Sequence, residues 1–102
     1  MANILLVEDE ANIRRVMKKV LQEQDLKLII TEAVDGVDAI DQLNGTTFDL
    51  VLCDIKMPKK DGIDVLKYIK EKNIQTPVVM ISGHGDLETA VQAMRLGAYD
   101  YI

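Results

Sequence analysis

The stretch Leu50-Val51-Leu52-Cys53-Asp54 joins four consecutive apolar residues to a single carboxylate. An apolar run without polar alternation is typical of a strand that is covered on both faces. Three further runs have this form, at residues 4–7, 28–31 and 78–81. They predict the buried strands of a parallel sheet.

Segments with helical periodicity separate these runs. The first has apolar residues at i, i+3, i+4, i+7 and i+8, and we expect this stripe to face the sheet: Ile13, Val16, Met17, Val20 and Leu21. Three shorter stripes follow, with Gly97 as the C-cap of the last: Val37, Ile40 and Leu43; Val65, Leu66 and Ile69; Leu87, Ala90, Val91 and Met94. A fifth strand is predicted to begin at about Ala98. The alternation predicts an α/β fold with a doubly wound sheet.

The composition is that of one compact domain spanning residues 1–102, with 48% hydrophobic and 28% charged residues. The 12 basic and 17 acidic residues give a net charge of −5, which argues against direct nucleic-acid binding. No apolar run is long enough to span a bilayer and no signal peptide is evident, so we expect a cytoplasmic protein without membrane contact. The sole cysteine, Cys53, is interpreted as a buried core residue.

Carboxylates follow two of the predicted strands. Glu8, Asp9 and Glu10 follow the first, and Asp54 follows the third. The carboxyl ends of parallel strands meet at one edge of the sheet, where like charges are unfavourable unless a proton or cation offsets them. Hard oxygen ligands suit Mg²⁺. We therefore predict a Mg²⁺ site with Asp54 as a candidate nucleophile, and Ser82 after the fourth strand as a donor to a phosphoryl oxygen.

Simpler interpretations of single residues stay open at this point. Asp54 and Ser82 are also suitable helix N-caps, and acidic residues after a strand are often only solvated. Tyr101 is compatible with an ordinary core position. His84 is more typical of a loop than of a catalyst.

The sequence resembles the receiver domains of response regulators over essentially all 102 residues. The motifs that carry the resemblance are Leu5-Leu6-Val7-Glu8-Asp9-Glu10, Leu52-Cys53-Asp54-Ile55-Lys56-Met57-Pro58 with Asp61-Gly62, Met80-Ile81-Ser82-Gly83, and Gly97-Ala98-Tyr99-Asp100-Tyr101. Residues 82–91 are similar in particular to receivers of the NtrC and NtrX type. The resemblance implies a flavodoxin-like or CheY-like five-stranded parallel sheet in the order 2-1-3-4-5.

The same resemblance implies a function for individual residues. Asp54 would accept phosphate from a sensor histidine kinase, with Mg²⁺ held by Asp9, Asp54 and the backbone carbonyl of Lys56. Glu8 would act through metal-bound water, although the family more often has Asp there. Ser82 would be the switch hydroxyl and Tyr101 the switch aromatic, and the output would pass through the fourth helix and fifth strand.

The resemblance also implies further partners and a longer domain. A covalent output domain of the ATPase and DNA-binding type, or a second copy of the chain, would receive the signal. The family's lysine after the fifth strand and its fifth helix do not occur in these residues, so we expect a C-terminally incomplete receiver domain whose role is signalling and not metabolic catalysis.

Three rival functions are compatible with parts of the pattern. A small phosphatase with an Asp54 nucleophile would need a general acid two residues later, where the chain has Lys56. A flavodoxin-like FMN module would need hydroxyls in the first loop, where the chain has three carboxylates. A degenerate receiver would keep the fold and lose the phosphoacceptor chemistry.

Overall fold

A computed structural model describes residues 2–25, 27–55, 57, 59–81 and 87–101, with the side chains of Leu87, Thr89 and Tyr101 excepted. The strands are β1 (Asn3–Val7), β2 (Ile29–Ala33), β3 (Leu50–Asp54), β4 (Val78–Ile81) and β5 (Asp100–Tyr101). The helices are α1 (Ala11–Gln24), α2 (Gly36–Gly45), α3 (Gly62–Glu71) and α4 (Leu87–Arg95). None of the helices in this described part combines the length and apolarity that a membrane crossing requires.

The five strands form one parallel sheet in the order β2-β1-β3-β4-β5, which confirms the doubly wound topology. The chain moves from β1 to β2 in one direction and then reverses to reach β3, β4 and β5. Because parallel crossovers are right-handed, this reversal places α1 on one face of the sheet and α2, α3 and α4 on the other.

The main core lies between the sheet and the layer of α2, α3 and α4. The sheet contributes the fully buried residues Leu5, Val51 and Met80 to this core, and the helices contribute Val65 and Leu66 among others. All three residues of the predicted α3 stripe are buried, as expected. The apolar side of this helix therefore belongs to the core, and its first residue, Gly62, lies against the end of the strand at Asp54.

The prediction that the whole apolar stripe of α1 faces the sheet is wrong in part. Met17 and Leu21 are half-buried, but Ile13, Val16 and Val20 are exposed by 44%, 61% and 50%. In the described part of the chain α1 is the one helix on its face of the sheet, so the flanks of its apolar stripe have no neighbouring helix to pack against. Periodicity predicts which side of a helix is apolar, but neighbouring elements decide how much of it is buried.

The predicted stripes of α2 and α4 are also right only in part. Helix α2 buries Ala39 and Leu43 and leaves Val37 exposed, while α4 buries Ala93 and leaves Val91 and Met94 exposed. Each helix thus buries an alanine, Ala39 in α2 and Ala93 in α4, whose small side chain lets the helix backbone approach the strands closely.

The end of α4 matches the predicted cap. Gly97 has φ of +99°, its N–H donates to Met94, and the N–H of Ala98 donates to the carbonyl of Ala93. These bonds form a Schellman motif. Because the motif uses Ala98, β5 begins at Asp100, two residues later than the sequence predicts, after Tyr99 N–H has bonded to the carbonyl of Val78.

Candidate metal and phosphoacceptor site

The ends of β1 and β3 place the predicted acidic residues at one edge of the sheet. Asp54 is the last residue of β3 and pairs with Ile81 of β4. Glu8 follows β1 directly, and its N–H donates a 3.1 Å hydrogen bond to the carbonyl of Ala33 in β2. Both residues are therefore held by the sheet itself, and not by a free loop.

The side chains of Glu8, Asp9 and Asp54 converge. One carboxylate oxygen from each lies within 4.8 Å of the other two. Glu8 is buried with 5% of its surface exposed, and Asp9 and Asp54 are half-buried. Three carboxylates so close together favour a bound cation or a retained proton.

Burial has the largest effect on Glu8 and raises the pKa of its carboxyl to about 7 from an ordinary value of 4.5. A hydrogen bond from the Glu10 N–H to Glu8 Oε2, at 3.0 Å, acts in the opposite direction. The side-chain hydrogen bond with Asp9 and the charges of Asp54 and Asp9 raise the pKa further. A divalent cation would compete with the proton that this group retains.

The segment after Asp54 is tied back to the sheet and to α3. Ile55 is buried, and its N–H donates to the carbonyl of Ile81 at 3.3 Å, while the N–H of Gly62 donates to the carbonyl of Ile55 at 2.8 Å. A Cβ on Gly62 would overlap the carbonyl oxygen of Asp54 and the Cα of Ile55. Only glycine lets the start of α3 approach the candidate nucleophile so closely.

The N-cap of α3 is Asp61, whose Oδ1 accepts a 3.0 Å hydrogen bond from the N–H of Asp64. The N–H of Asp61 donates in turn to Asp64 Oδ2 at 3.1 Å, which completes a capping box. The alternative interpretation of Asp54 as a helix N-cap is therefore wrong. Asp54 lies at the end of the strand, seven residues before the cap.

Four predicted residues lie wholly or partly outside the described structure. Lys56, Ser82 and His84 are outside the described residues. Tyr101 belongs to β5 and its backbone pairs with Met80, but its side chain is not described. The predicted roles of the Lys56 carbonyl, the Ser82 hydroxyl and the Tyr101 ring therefore stay predictions.

Arg14 is a residue at this site that the sequence interpretation missed, because only the apolar positions of α1 were considered. Its Nη1 donates a 2.8 Å hydrogen bond to the backbone carbonyl of Glu8. A signal existed: Arg14 precedes Met17 and Leu21 by three and seven residues, which places it on the half-buried side of the helix.

A separate cavity of about 460 Å³ lies between α3 and α4. It includes none of the three carboxylates, and its lining is Ile55, Met57, Asp61, Ile63, Asp64, Lys67 and Gln92. Asp61 and Asp64 are engaged in the capping box. The carboxylate cluster, and not this cavity, is therefore the candidate site for chemistry.

Comparison with known proteins agrees with this geometry. Residues 4–102 match the family described as the response regulator receiver domain. The chain belongs to this family. It is a receiver domain of two-component response regulators and has their phosphoacceptor signalling role.

The chain is similar to the response regulator protein PilR of Pseudomonas aeruginosa, with 38% identity over 96% of this chain and 22% of that protein. It is 37% identical to the regulatory protein LuxO of Vibrio cholerae over 95% of this chain and 21% of that protein. The chain thus spans about a fifth of the length of these two relatives.

Solved receiver domains share the fold. The receiver domain of the Francisella response regulator 1452 has a TM-score of 0.90 and 29% identity, over 100% of this chain and 83% of that chain. The response regulator domain of Thermotoga maritima CheB has a TM-score of 0.86 and 33% identity, over 100% of this chain and 77% of that chain.

Proposed function

We propose that Asp54 is the phosphoacceptor of this receiver domain and that a sensor histidine kinase is its donor. The observation that carries the proposal is the convergence of Asp54 with Glu8 and Asp9, whose carboxylate oxygens lie within 4.8 Å of one another. Asp54 is the member of this set that ends a central strand, with α3 starting against its backbone. It combines a firm backbone position with a half-buried side chain.

In the proposed reaction, a carboxylate oxygen of Asp54 forms a bond to the phosphorus atom of the donor. The bond between phosphorus and the donor's imidazole nitrogen breaks, and the nitrogen keeps the electron pair and takes up a proton from solvent. Asp54 must be ionised to attack. The product is an acyl phosphate on Asp54.

The donor set fits Mg²⁺. Asp9, Asp54 and Glu8 supply hard carboxylate oxygen atoms, which suit Mg²⁺, and in the described residues no histidine or cysteine joins the cluster to favour zinc. When bound, the cation offsets the negative charge of the incoming phosphoryl oxygens. From the family resemblance, Glu8 is proposed to act through metal-bound water, and the carbonyl of Lys56 is proposed as a further ligand.

We propose that the phosphorylated state is relayed through Ser82, Tyr101 and the surface of α4 and β5. The side chains of Val91 and Met94, three residues apart on α4, are both exposed. They support an output surface there, because apolar side chains that are exposed together on one face favour contact with another protein. The relatives PilR, LuxO and NtrC are regulatory proteins between four and five times as long as this chain. A transcription-regulating output domain is therefore the proposed partner.

Intact-mass measurement with acetyl phosphate and Mg²⁺ tests the proposal. The parent protein should gain the mass of one phosphoryl group, and Asp54→Asn should gain none. Asp41→Asn is the matched control, because Asp41 is an exposed aspartate on α2. Equal incorporation in Asp54→Asn and the parent would refute the assignment, and no incorporation in the folded parent would support a degenerate receiver.

A further inference from the structure

Arg14 joins three elements at the edge of the candidate site. It lies in the first turn of α1, and its side chain is 14% exposed. Nη1 donates to the backbone carbonyl of Glu8 at 2.8 Å, and Nε donates to Glu32 Oε1 in β2 at 3.0 Å. One guanidinium therefore links α1, the end of β1 and the second-last residue of β2.

The backbone carbonyl of Glu8 affects where the side chains of the acidic cluster lie. It lies between the Cα atoms from which the side chains of Glu8 and Asp9 leave the backbone, so its orientation sets the direction of both carboxylates. A hydrogen bond from a charged, largely buried guanidinium is stronger than one from a neutral donor. The Arg14 bond therefore holds this peptide group in place.

Glu32 orients Arg14 from the other side. Burial alone would raise the pKa of Glu32, but the hydrogen bonds from Lys18 and Arg14 overcome this effect and lower it. Glu32 is thus ionised at neutral pH and can hold the guanidinium plane. Lysine could not replace arginine here, because a single ammonium lacks the planar fork that serves two acceptors in fixed directions.

We propose that Arg14 is a positioning residue for the divalent-cation site, and that the Arg14–Glu32 pair fixes the peptide between Glu8 and Asp9 in the orientation that cation binding requires. The inference rests on the proposed function, since it assumes that the carboxylate cluster binds Mg²⁺. It assigns a role in the site to two residues outside the acidic cluster itself.

Lys18 offers a matched control on the same helix. Its Nζ donates to the other oxygen of Glu32, at 3.3 Å, and has the same charge as Arg14. Its described hydrogen bond reaches Glu32 only. Lys18→Ala therefore removes a cation beside Glu32 and leaves the bond to the Glu8 carbonyl intact.

The experiment measures Mg²⁺ affinity by calorimetric titration, well below the melting temperature of each variant. Arg14→Ala should weaken Mg²⁺ binding about tenfold or more, which is the usual effect of removing a group that orients a metal ligand. Lys18→Ala should leave the affinity within about twofold of the parent. Arg14→Lys should recover less than half of the lost affinity, on a logarithmic scale, because one ammonium cannot serve both acceptors.

A second measurement needs no metal. In NMR spectra of the metal-free protein, Arg14→Ala should shift the backbone amides of Asp9 and Glu10 by more than Lys18→Ala does. Glu32→Gln should shift the same amides in the same direction as Arg14→Ala. Phosphorylation of Arg14→Ala by acetyl phosphate should slow at low Mg²⁺ and recover at saturating Mg²⁺.

The outcomes separate this inference from the proposed function. A parent protein that neither binds Mg²⁺ nor incorporates phosphate would remove the proposed function. A parent that does both, with Arg14→Ala folded and unchanged in Mg²⁺ affinity, would overturn only the role of Arg14. Equal weakening in Arg14→Ala and Lys18→Ala would also overturn it, because general charge and not the bond to Glu8 would then be responsible.

Discussion

The backbone N–H of Gly36 donates a 2.9 Å hydrogen bond to the carbonyl of Lys60, which ties the start of α2 to the loop that follows Asp54. A weak ion pair supports the same contact, with Lys59 Nζ 3.6 Å from Asp35 Oδ2. Lys59 adopts a positive φ of 64°, which a bulky residue rarely does. The loop that adjoins the proposed phosphoacceptor, Asp54, is therefore held from β4, from α3 and from α2.

Gly36→Ala should destabilise the protein by about 1–3 kcal/mol, the usual cost of overpacking. A Cβ at this position would overlap the carbonyl of Lys60 and force the start of α2 away from the loop that contains Lys60. Gly45→Ala at the other end of α2 is the control, because a Cβ there meets no atom within 4 Å. Urea unfolding measures both, and equal effects at the two positions would mean that the loop contact is not tight.

Mg²⁺ should raise the melting temperature of the parent protein, because its proposed binding to the folded state would relieve repulsion among Glu8, Asp9 and Asp54. The shift should be much smaller in Asp9→Ala, which removes one carboxylate from the cluster. Asp41→Ala, on the exposed side of α2, should retain the full shift. Thermal melts at increasing Mg²⁺ check this, and a full shift in Asp9→Ala would place the cation elsewhere.

Glu8 should make the metal-free protein less stable as the pH rises. The folded state holds the Glu8 proton up to a pKa of about 7, whereas the unfolded chain loses it near 4.5. Between these values the folded state binds more protons, so the free energy of unfolding falls with rising pH, by on the order of 3 kcal/mol in total. Denaturation from pH 5 to 8 in the presence of EDTA measures this slope.

Glu8→Gln provides the control for the pH dependence, because glutamine carries no titrating proton and the slope should largely vanish. The Glu32 carboxyl has a lowered pKa and contributes stability that is lost only under more acidic conditions, so it stays constant over this range. Saturating Mg²⁺ should also reduce the slope in the parent by favouring the ionised cluster. An unchanged slope in Glu8→Gln would assign the effect to another group.

The exposed part of the α1 stripe should contribute little to the stability of this chain. Val16 is 61% exposed, so Val16→Ala should change the free energy of unfolding by no more than about 0.5 kcal/mol. Leu6 is fully buried in β1, and Leu6→Ala should cost about 2–5 kcal/mol. Chemical denaturation of the two variants tests this, and a large loss in Val16→Ala would show that the flank of α1 is packed.

The sequence by itself determined the sheet and the grouping of its acidic residues. Residues 50–53 form a continuous apolar run that ends at Asp54, and residues 4–7 form another that ends at Glu8 and Asp9. Parallel strands present their carboxyl ends at one edge, so a local pattern was sufficient to predict that these carboxylates meet. The helical periods likewise predicted four helices and the Gly97 cap.

Only the tertiary structure decided how these residues are held. Three features depend on how α1 lies over β1 and β2. They are the burial of Glu8, the hydrogen bond from Arg14 to the Glu8 carbonyl, and the pairing of Arg14 with Glu32, which is 18 positions away in the chain. The exposure of Ile13, Val16 and Val20 depends on the same placement. A periodic pattern specifies which side of a helix is apolar, but contacts between residues distant in the chain arise only when whole elements pack, and no local pattern encodes their geometry.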